Sequence, residues 1–397
     1  MTGWWRIVHK AFFAVWVLGL VASGSAPTQD DSSYTLYFTL SGNLYSYDGE
    51  DITRLPGTGY LDRLSISANG TWLVYRTAAP EVLAAGGPTP YQDLPRSIML
   101  MDTTSGEVQR ISSQPANASD SVGVVRDRPT FSPDGQQVAW WEVDYSGEPY
   151  SGDYREHRLV VYDIRSGETT VRLSEPENPP IARGASLYEL AYQPLWWGEG
   201  IAFHANGVTT VVDDDEPIRI PDTICGVEAL WRLEGWAEGP TGVPYLAYTA
   251  QAEAAIYLID PERQQCYRTE SQPYYRAASA SDDGLQLDIY PIDGEVALLN
   301  AAGEPVLKLV DPYSHISRNK RFALRPGGGA LAAYHRLGTD DENTLTIWGR
   351  DGAGTALAVE MLEPGHLFAD LPELAWGPAV LVLPNDAELI AVVNAEE

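Results

Sequence analysis

From Tyr34 onward the chain runs in short apolar–polar alternations, paired across tight turns, and few stretches carry a helical period. The clearest pair is Arg128–Val143, RPTFSPDGQQVAWWEV. An apolar run leads into Ser132-Pro133-Asp134-Gly135, and Val138-Ala139-Trp140-Trp141 follows. Pro133 presets φ for the turn and Gly135 is free to take φ > 0, so the stretch predicts a β-hairpin. Arg158–Ser174, RLVVYDIRSGETTVRLS, predicts a second pair of strands around Arg165-Ser166-Gly167-Glu168. Together they make a four-stranded antiparallel meander, which alone leaves a face uncovered and calls for neighbours.

The pattern recurs. Ser65–Arg76 leads into Ser97–Ser112, Tyr188–Asn206 into Gly207–Asp222, and Ala229–Gln251 into Ala255–Ser271. Arg276–Tyr290 leads into Gly294–Asp311, and His315–His335 into Thr344–Leu362. Turn-to-turn spacing is about 45 to 65 residues, the period of a propeller blade lengthened by insertions. The expected fold is all-β, a β-propeller of four-stranded antiparallel blades. Tyr34–Leu55 reads as the last three strands of a blade and Glu373–Pro378 as a first strand, so the two ends are expected to share one blade and close the ring. Six internal units and one shared blade predict seven blades. Surplus strands between Ala379 and Val393 leave six or eight open.

The segment Phe131-Ser132-Pro133-Asp134-Gly135-Gln136-Gln137-Val138-Ala139-Trp140 resembles the TolB-like (WD-like) β-propeller repeat, with degenerate copies at Ser67–Tyr75, Ser279–Tyr290 and Arg325–Tyr334. The likeness covers most of residues 34–393 and is to the repeat, not to TolB itself, whose mixed α/β domain has no counterpart in this sequence. It implies the propeller fold. Such propellers occur in transport-assisting proteins, peptidase accessory domains and other exported proteins, so the fold alone decides little about function.

At the N-terminus, Arg6, His9 and Lys10 precede the apolar run Ala11–Ala22 and the small residues Ser23-Gly24-Ser25-Ala26. That layout predicts a signal peptide over residues 1–26, a short linker 27–33, and a single propeller domain over 34–397. The expected location is extracytoplasmic (secreted, periplasmic or cell-surface), with an uncleaved N-terminal anchor as the alternative. Loss of Arg6 and Lys10 leaves 24 basic against 55 acidic residues, a charge of −31. Such acidity argues against nucleic acid or anionic membrane as a partner. Two cysteines, Cys225 and Cys266, in an exported chain suggest one disulfide; two buried thiols are the competing reading.

In a four-stranded meander the loops after strands two and four lie on one face, and the long polar insertions Thr77–Arg96, Ser113–Asp127, Asp144–His157 and Glu175–Leu187 fall there. They supply the candidate binding residues Tyr91, Asp93, Arg96, Arg126, Arg128, Tyr145, Tyr150, Tyr154, Arg155 and His157. Tyrosine offers contact area at low entropy cost, and arginine a bidentate fork for carboxylate or phosphate. The bland alternative is solvated decoration over the blade edge. The acidic runs Asp213–Glu216 and Thr339–Asn343 lack the alternation of a calcium loop and read as solvated turns.

Five histidines after the signal (157, 204, 315, 335 and 366) are scattered with no HExxH pair, and no GxSxG elbow occurs. No catalytic residue, metal or cofactor is therefore assigned. The leading expectation is a monomeric, non-enzymatic binding or scaffold module for a protein, peptide or glycan. The alternative is a glycosidase-like hydrolase or lyase using carboxylates around the central channel.

Overall fold

The computed structural model describes residues 34–40, 42–56, 60–67, 69–85, 95–119, 121–147, 153–175, 194–205, 208–213, 217–226, 230–238, 244–250, 253–269, 275–277, 286–290, 295–299, 305–310, 321–324, 330–337, 342–349, 354–357, 374–378 and 388–392. All lie within one compact unit, Ser32–Glu397. The fold is a β-propeller, and the described strands form seven antiparallel sheets.

The N-terminal strands are β1 (Tyr34–Leu40), β2 (Asn43–Tyr47) and β3 (Asp51–Leu55). Sheet 2 is β4 (Asp62–Ile66), β5 (Trp72–Ala78), β6 (Arg96–Asp102) and β7 (Val108–Arg110), with the short helix α1 (Pro80–Ala84) after β5. Sheet 3 is β8 (Val122–Phe131), β9 (Gln137–Ser146), β10 (Asp153–Asp163) and β11 (Thr169–Glu175). Sheet 4 is β12 (Leu195–Trp197), β13 (Gly200–Ala205), β14 (Val208–Val212) and β15 (Ile218–Pro221). Sheet 5 is β16 (Leu230–Glu238), β17 (Pro244–Ala250), β18 (Glu253–Asp260) and β19 (Gln265–Thr269). Sheet 6 is β20 (Tyr275–Ala277), β21 (Gln286–Tyr290), β22 (Glu295–Leu299) and β23 (Pro305–Val310). Sheet 7 is β24 (Arg321–Leu324), β25 (Ala330–Leu337), β26 (Glu342–Gly349) and β27 (Gly354–Leu357). The last strands, β28 (Leu374–Pro378) and β29 (Glu388–Val392), return to β1–β3 and complete sheet 1 in the order β28-β1-β2-β3-β29. β28 pairs with β1 from Tyr34↔Pro378 to Phe38↔Leu374. The surplus C-terminal apolar residues therefore become a fifth strand lying on β3.

The repeat is built by one turn used again. Ser132 Oγ accepts the Gln137 N–H at 2.9 Å and donates to Asp134 Oδ1 at 2.6 Å. Ser67 and Asn69 repeat this, with the Trp72 N–H on Ser67 Oγ at 2.9 Å and Ser67 Oγ on Asn69 Oδ1 at 2.8 Å. Gly135 sits at φ +68°, a conformation that favours glycine, and a Cβ there would lie 3.1 Å from Ser67 Cβ, so the turns of sheets 2 and 3 stack closely.

Strand alternation gives each sheet two apolar faces, and the core lies between successive sheets. Tyr37, Leu44 and Leu55 pack on Leu64, Leu73 and Tyr75 between sheets 1 and 2. Val74, Ile98 and Leu100 meet Val138, Trp140 and Val160 between sheets 2 and 3. Ala139, Trp141 and Val161 meet Trp196, Ile201 and Phe203 between sheets 3 and 4. The adjacent tryptophans 140 and 141 thus serve opposite interfaces. Val211 and Ile220 meet Tyr248 and Tyr257 between sheets 4 and 5, and Ala332 and Leu345 of sheet 7 pack on Leu36, Phe38 and Tyr45 of sheet 1.

Candidate functional site: the projecting end of sheet 3

The strands β8, β9 and β10 are 10, 10 and 11 residues long, whereas those of sheets 2 and 4 on either side have 3 to 7. Much of what the sequence suggested to be loop is therefore sheet. The pairs Val122↔Ser146 through Val125↔Val143 extend β8 and β9, and Asp153↔Ser146, Tyr154↔Tyr145 and Arg155↔Asp144 extend β10 beside them. Polar composition misled here because these side chains answer one another across the strands.

The base of the projection is an ionic layer above the apolar one. Trp140, in the apolar layer, donates its indole N–H to Glu142 Oε1 at 3.0 Å. Glu142 receives Arg126 Nε at 2.6 Å from β8 and Arg158 Nη2 at 3.5 Å from β10. Arg126 also donates to the carbonyls of Arg96 at 2.9 Å and Ser113 at 2.6 Å, fastening sheet 3 to sheet 2. Arg158 forks onto Asp144 at 2.7 and 3.2 Å and reaches Glu156 at 3.1 Å. The hydrogen bonds that Arg158 donates to Asp144 hold its pKa above the ordinary value, so the guanidinium stays charged.

A second ionic group ties the first strands of sheets 2 and 3. Arg76 grips Asp62 with two bonds of 2.6 and 2.7 Å and reaches Asp127 at 3.0 Å. Asp127 also faces Arg63 at 3.0 Å and Arg128 at 3.6 Å. Arg63 and Arg128 hold left-handed backbone at φ +55° and +56°, each at a register shift in its strand. Burial pushes the carboxyls of Asp62 and Asp127 up, but the facing arginines outweigh it and hold both well below the usual carboxylate range.

The projection is propped from sheet 2. Gln114 donates to the carbonyls of Arg96 at 2.8 Å and Val124 at 2.7 Å and accepts the Val124 N–H at 2.8 Å. A Cβ on Gly123 would stand 2.5 Å from Pro95 Cγ, so only glycine lets β8 pass that close. Ala79, Val82 and Ala118 pack beneath.

The sequence-predicted residues take different positions. Arg126 and Arg128 are buried in the ionic layers, and Arg96 is half-buried with its Nη1 on the Tyr60 carbonyl at 2.9 Å. Tyr145 is buried with Val125 and Val143, its hydroxyl donating to the Gly147 carbonyl at 3.0 Å, so it is a core residue of the projection. His157 is 1% exposed, and among the described residues neither ring nitrogen has a hydrogen-bond partner. Burial, then the Arg158 charge, lowers its pKa to about 4. Tyr154 and Arg155 are placed by backbone alone, in β10. Tyr91, Asp93, Tyr150, residues 1–33, the loop 176–187 and the acidic runs 214–216 and 339–341 lie outside the described residues. Sequence reading missed Asp62, Arg63, Arg76, Glu142 and Arg158. Asp62-Arg63 and Asp127-Arg128 stand at the same distance before Gly70 and Gly135, and aligning the repeats by their turns exposes that signal.

Away from the projection, a buried polar chain lies between sheets 4 and 5. His204 Nδ1 is 3.3 Å from Thr209 Oγ1, Thr209 donates to the Tyr248 hydroxyl at 3.0 Å, and His204 Nε2 is 3.6 Å from Asp222. Three residues beyond Asp222, Cys225 is disulfide-bonded to Cys266 of β19. Among the described residues no cluster of histidine, cysteine and carboxylate side chains could hold a metal ion, and no helix is long and apolar enough to cross a membrane.

No known family profile matches the chain. One curated relative, the probable dipeptidyl-peptidase 5 of Emericella nidulans, is 27% identical over 125 residues, which is 32% of this chain and 16% of that protein. Among solved structures, TolB from Acinetobacter baumannii aligns over 87% of this chain and 67% of its own at 13% identity, TM-score 0.44. Apo AztD from Citrobacter koseri aligns over 87% and 98% at 11% identity, TM-score 0.44. An oligogalacturonate lyase in complex with manganese aligns over 80% and 83% at 14% identity, TM-score 0.46.

Proposed function

We propose that the protein is an exported, non-catalytic propeller that binds a protein, peptide or glycan through the projecting end of sheet 3. The observation that carries this reading is the overlength of β8, β9 and β10, anchored at its base by Arg126, Glu142 and Arg158. A segment raised beyond its neighbours and held rigid by an ionic layer is a recognition platform, since rigid support lowers the entropy lost on binding. Among the described residues Asp144 and Glu156 present charge to solvent there, with side chains 44% and 61% exposed. The signal-like N-terminus and the Cys225–Cys266 bond support an oxidising, extracytoplasmic location.

The glycosidase-like hydrolase alternative needs a carboxylic acid that keeps its proton near neutral pH. Asp62 and Asp127 lie on first strands, where such a residue would stand, but their arginines keep them ionised. Held ionised, these two acids do not supply that proton donor. Replacing Glu148–Gly152 with two glycines leaves the paired ends Ser146 and Asp153 in place. Pull-down from the extracytoplasmic fraction of the source cells, read by mass spectrometry, should recover a partner with the wild type that the shortened variant loses at unchanged thermal stability. An identical partner set for both proteins sinks the reading.

A further inference from the structure

An outer strand presents a row of unpaired backbone groups, and proteins ordinarily blunt it. Here β3 is covered by β29, itself a five-residue strand interrupted by a bulge. β7 has 3 residues. β15 has 4 and ends at Pro221. β19 is bridged through Cys266 to Cys225. β23 begins at Pro305 and carries Lys308, and β27 has 4 residues starting at Gly354.

β11 departs from this. It is the outer strand of sheet 3 and runs seven residues, Thr-Thr-Val-Arg-Leu-Ser-Glu, without proline, glycine or lysine. It is interrupted by one bulge, opposite Leu159/Val160, and its charged residues are Arg172 and Glu175, which cancel. Thr169, Thr170, Val171 and Ser174 are exposed, and Val171, at 54%, is the large apolar side chain left exposed among the described residues. Among the described residues no strand lies beyond β11, and β-branched residues on an outer strand are the composition that favours strand pairing.

We propose that β11 is a docking strand that takes up an extended, net-basic, β-branched segment of a partner protein as an added antiparallel strand. β29 on β3 demonstrates the geometry, because there an outer edge of this fold already accepts a fifth antiparallel strand. Charge selects the occupant. At a net charge of −29, two copies of this chain repel each other, whereas a basic segment is drawn in. Main-chain bonds supply the affinity, and Val171 with Thr169 and Thr170 sets the side-chain match. The surface is separate from the tip of the projection and does not depend on its role.

The test uses the whole chain and two short synthetic peptides with alternating valine and threonine, one bearing lysines and the other glutamates. Fluorescence anisotropy measures affinity, and amide hydrogen exchange locates the contact. The lysine peptide should bind, slow exchange across Thr169–Ser174 by about tenfold or more, and weaken on raising salt. Val171→Lys, at an exposed position, should keep the fold and weaken that binding by about tenfold, while Val171→Ile keeps it. The variant lacking Glu148–Gly152 should bind the lysine peptide like wild type, which separates this surface from the projection. Equal binding of both peptides, protection elsewhere, or indifference to Val171→Lys overturns the proposal. So does a dimer in sedimentation that Val171→Lys dissolves, since the occupant is then a second copy.

Discussion

Asp127→Ala removes the acid shared by three arginines at one inter-sheet joint. Its carboxylate faces Arg63 and Arg76 at 3.0 Å each and Arg128 at 3.6 Å, and it also caps the Arg128 N–H at 2.9 Å. At an effective dielectric near 20, each such contact is worth about 4–6 kcal/mol in gross Coulomb attraction. Most of that only offsets the cost of desolvating the charges, so the net worth of the intact group is small. Truncation differs, because it removes the acid that Arg63, Arg76 and Arg128 all face while those side chains stay largely buried. The expected loss is about 3–5 kcal/mol, far above that for an exposed pair such as Arg110–Glu81. Urea unfolding followed by tryptophan fluorescence measures it, with Glu81→Ala as the exposed control. The double variant Asp127→Ala/Arg63→Ala should recover part of the loss, since it removes one stranded charge. A loss below about 1 kcal/mol for Asp127→Ala, or no recovery in the double variant, would refute the reasoning.

Other outcomes follow from the same geometry. Reducing Cys225–Cys266, with a sequence separation of 41, should cost about 4 kcal/mol on the loop-entropy scale, read as a lower denaturation midpoint with reductant that a Cys225→Ser/Cys266→Ser variant no longer shows. His157 has a folded pKa of about 4, below its unfolded value of 6.5, so the unfolded chain takes up the proton first and stability should fall as pH drops from about 6.5 toward 4. His157→Phe should flatten that part of the stability–pH curve, and because neither ring nitrogen is bonded it should be neutral or stabilising at pH 7.

The strands and their turns were legible because period-two alternation and the Ser-Pro-Asp-Gly chemistry are local. Ser132, Asp134 and Gly135 make the predicted hairpin, and Ser67, Asn69 and Gly70 repeat it bond for bond. The projection was not legible. Asp144 and Glu156 look like loop residues in a line of text and Arg158 like the start of a strand, and only the pairing of β9 with β10 makes them partners. Arg126 and Arg128 drew attention as candidate binding residues; their acids come from another strand or the preceding residue, and burial follows from that pairing. Spacing along the chain carries no information about such cross-strand neutralisation until register is known.

The sharing of sheet 1 by both ends has a consequence in time. β1 begins at Tyr34 and its inner partner β28 at Leu374, so nearly the whole chain must exist before that pair can form. At ribosomal rates this interval is on the order of tens of seconds. Throughout it the local hairpins β1–β3 can assemble, but with the edge of β1 open and the apolar residues Leu36 and Phe38 waiting for both β28 and sheet 7. Contacts of such separation slow folding, and an open apolar edge during synthesis is what holding factors recognise. The pairings of β28 with β1 and of β29 with β3 are therefore the last that the growing chain can make, after the strands of every other sheet have been synthesised.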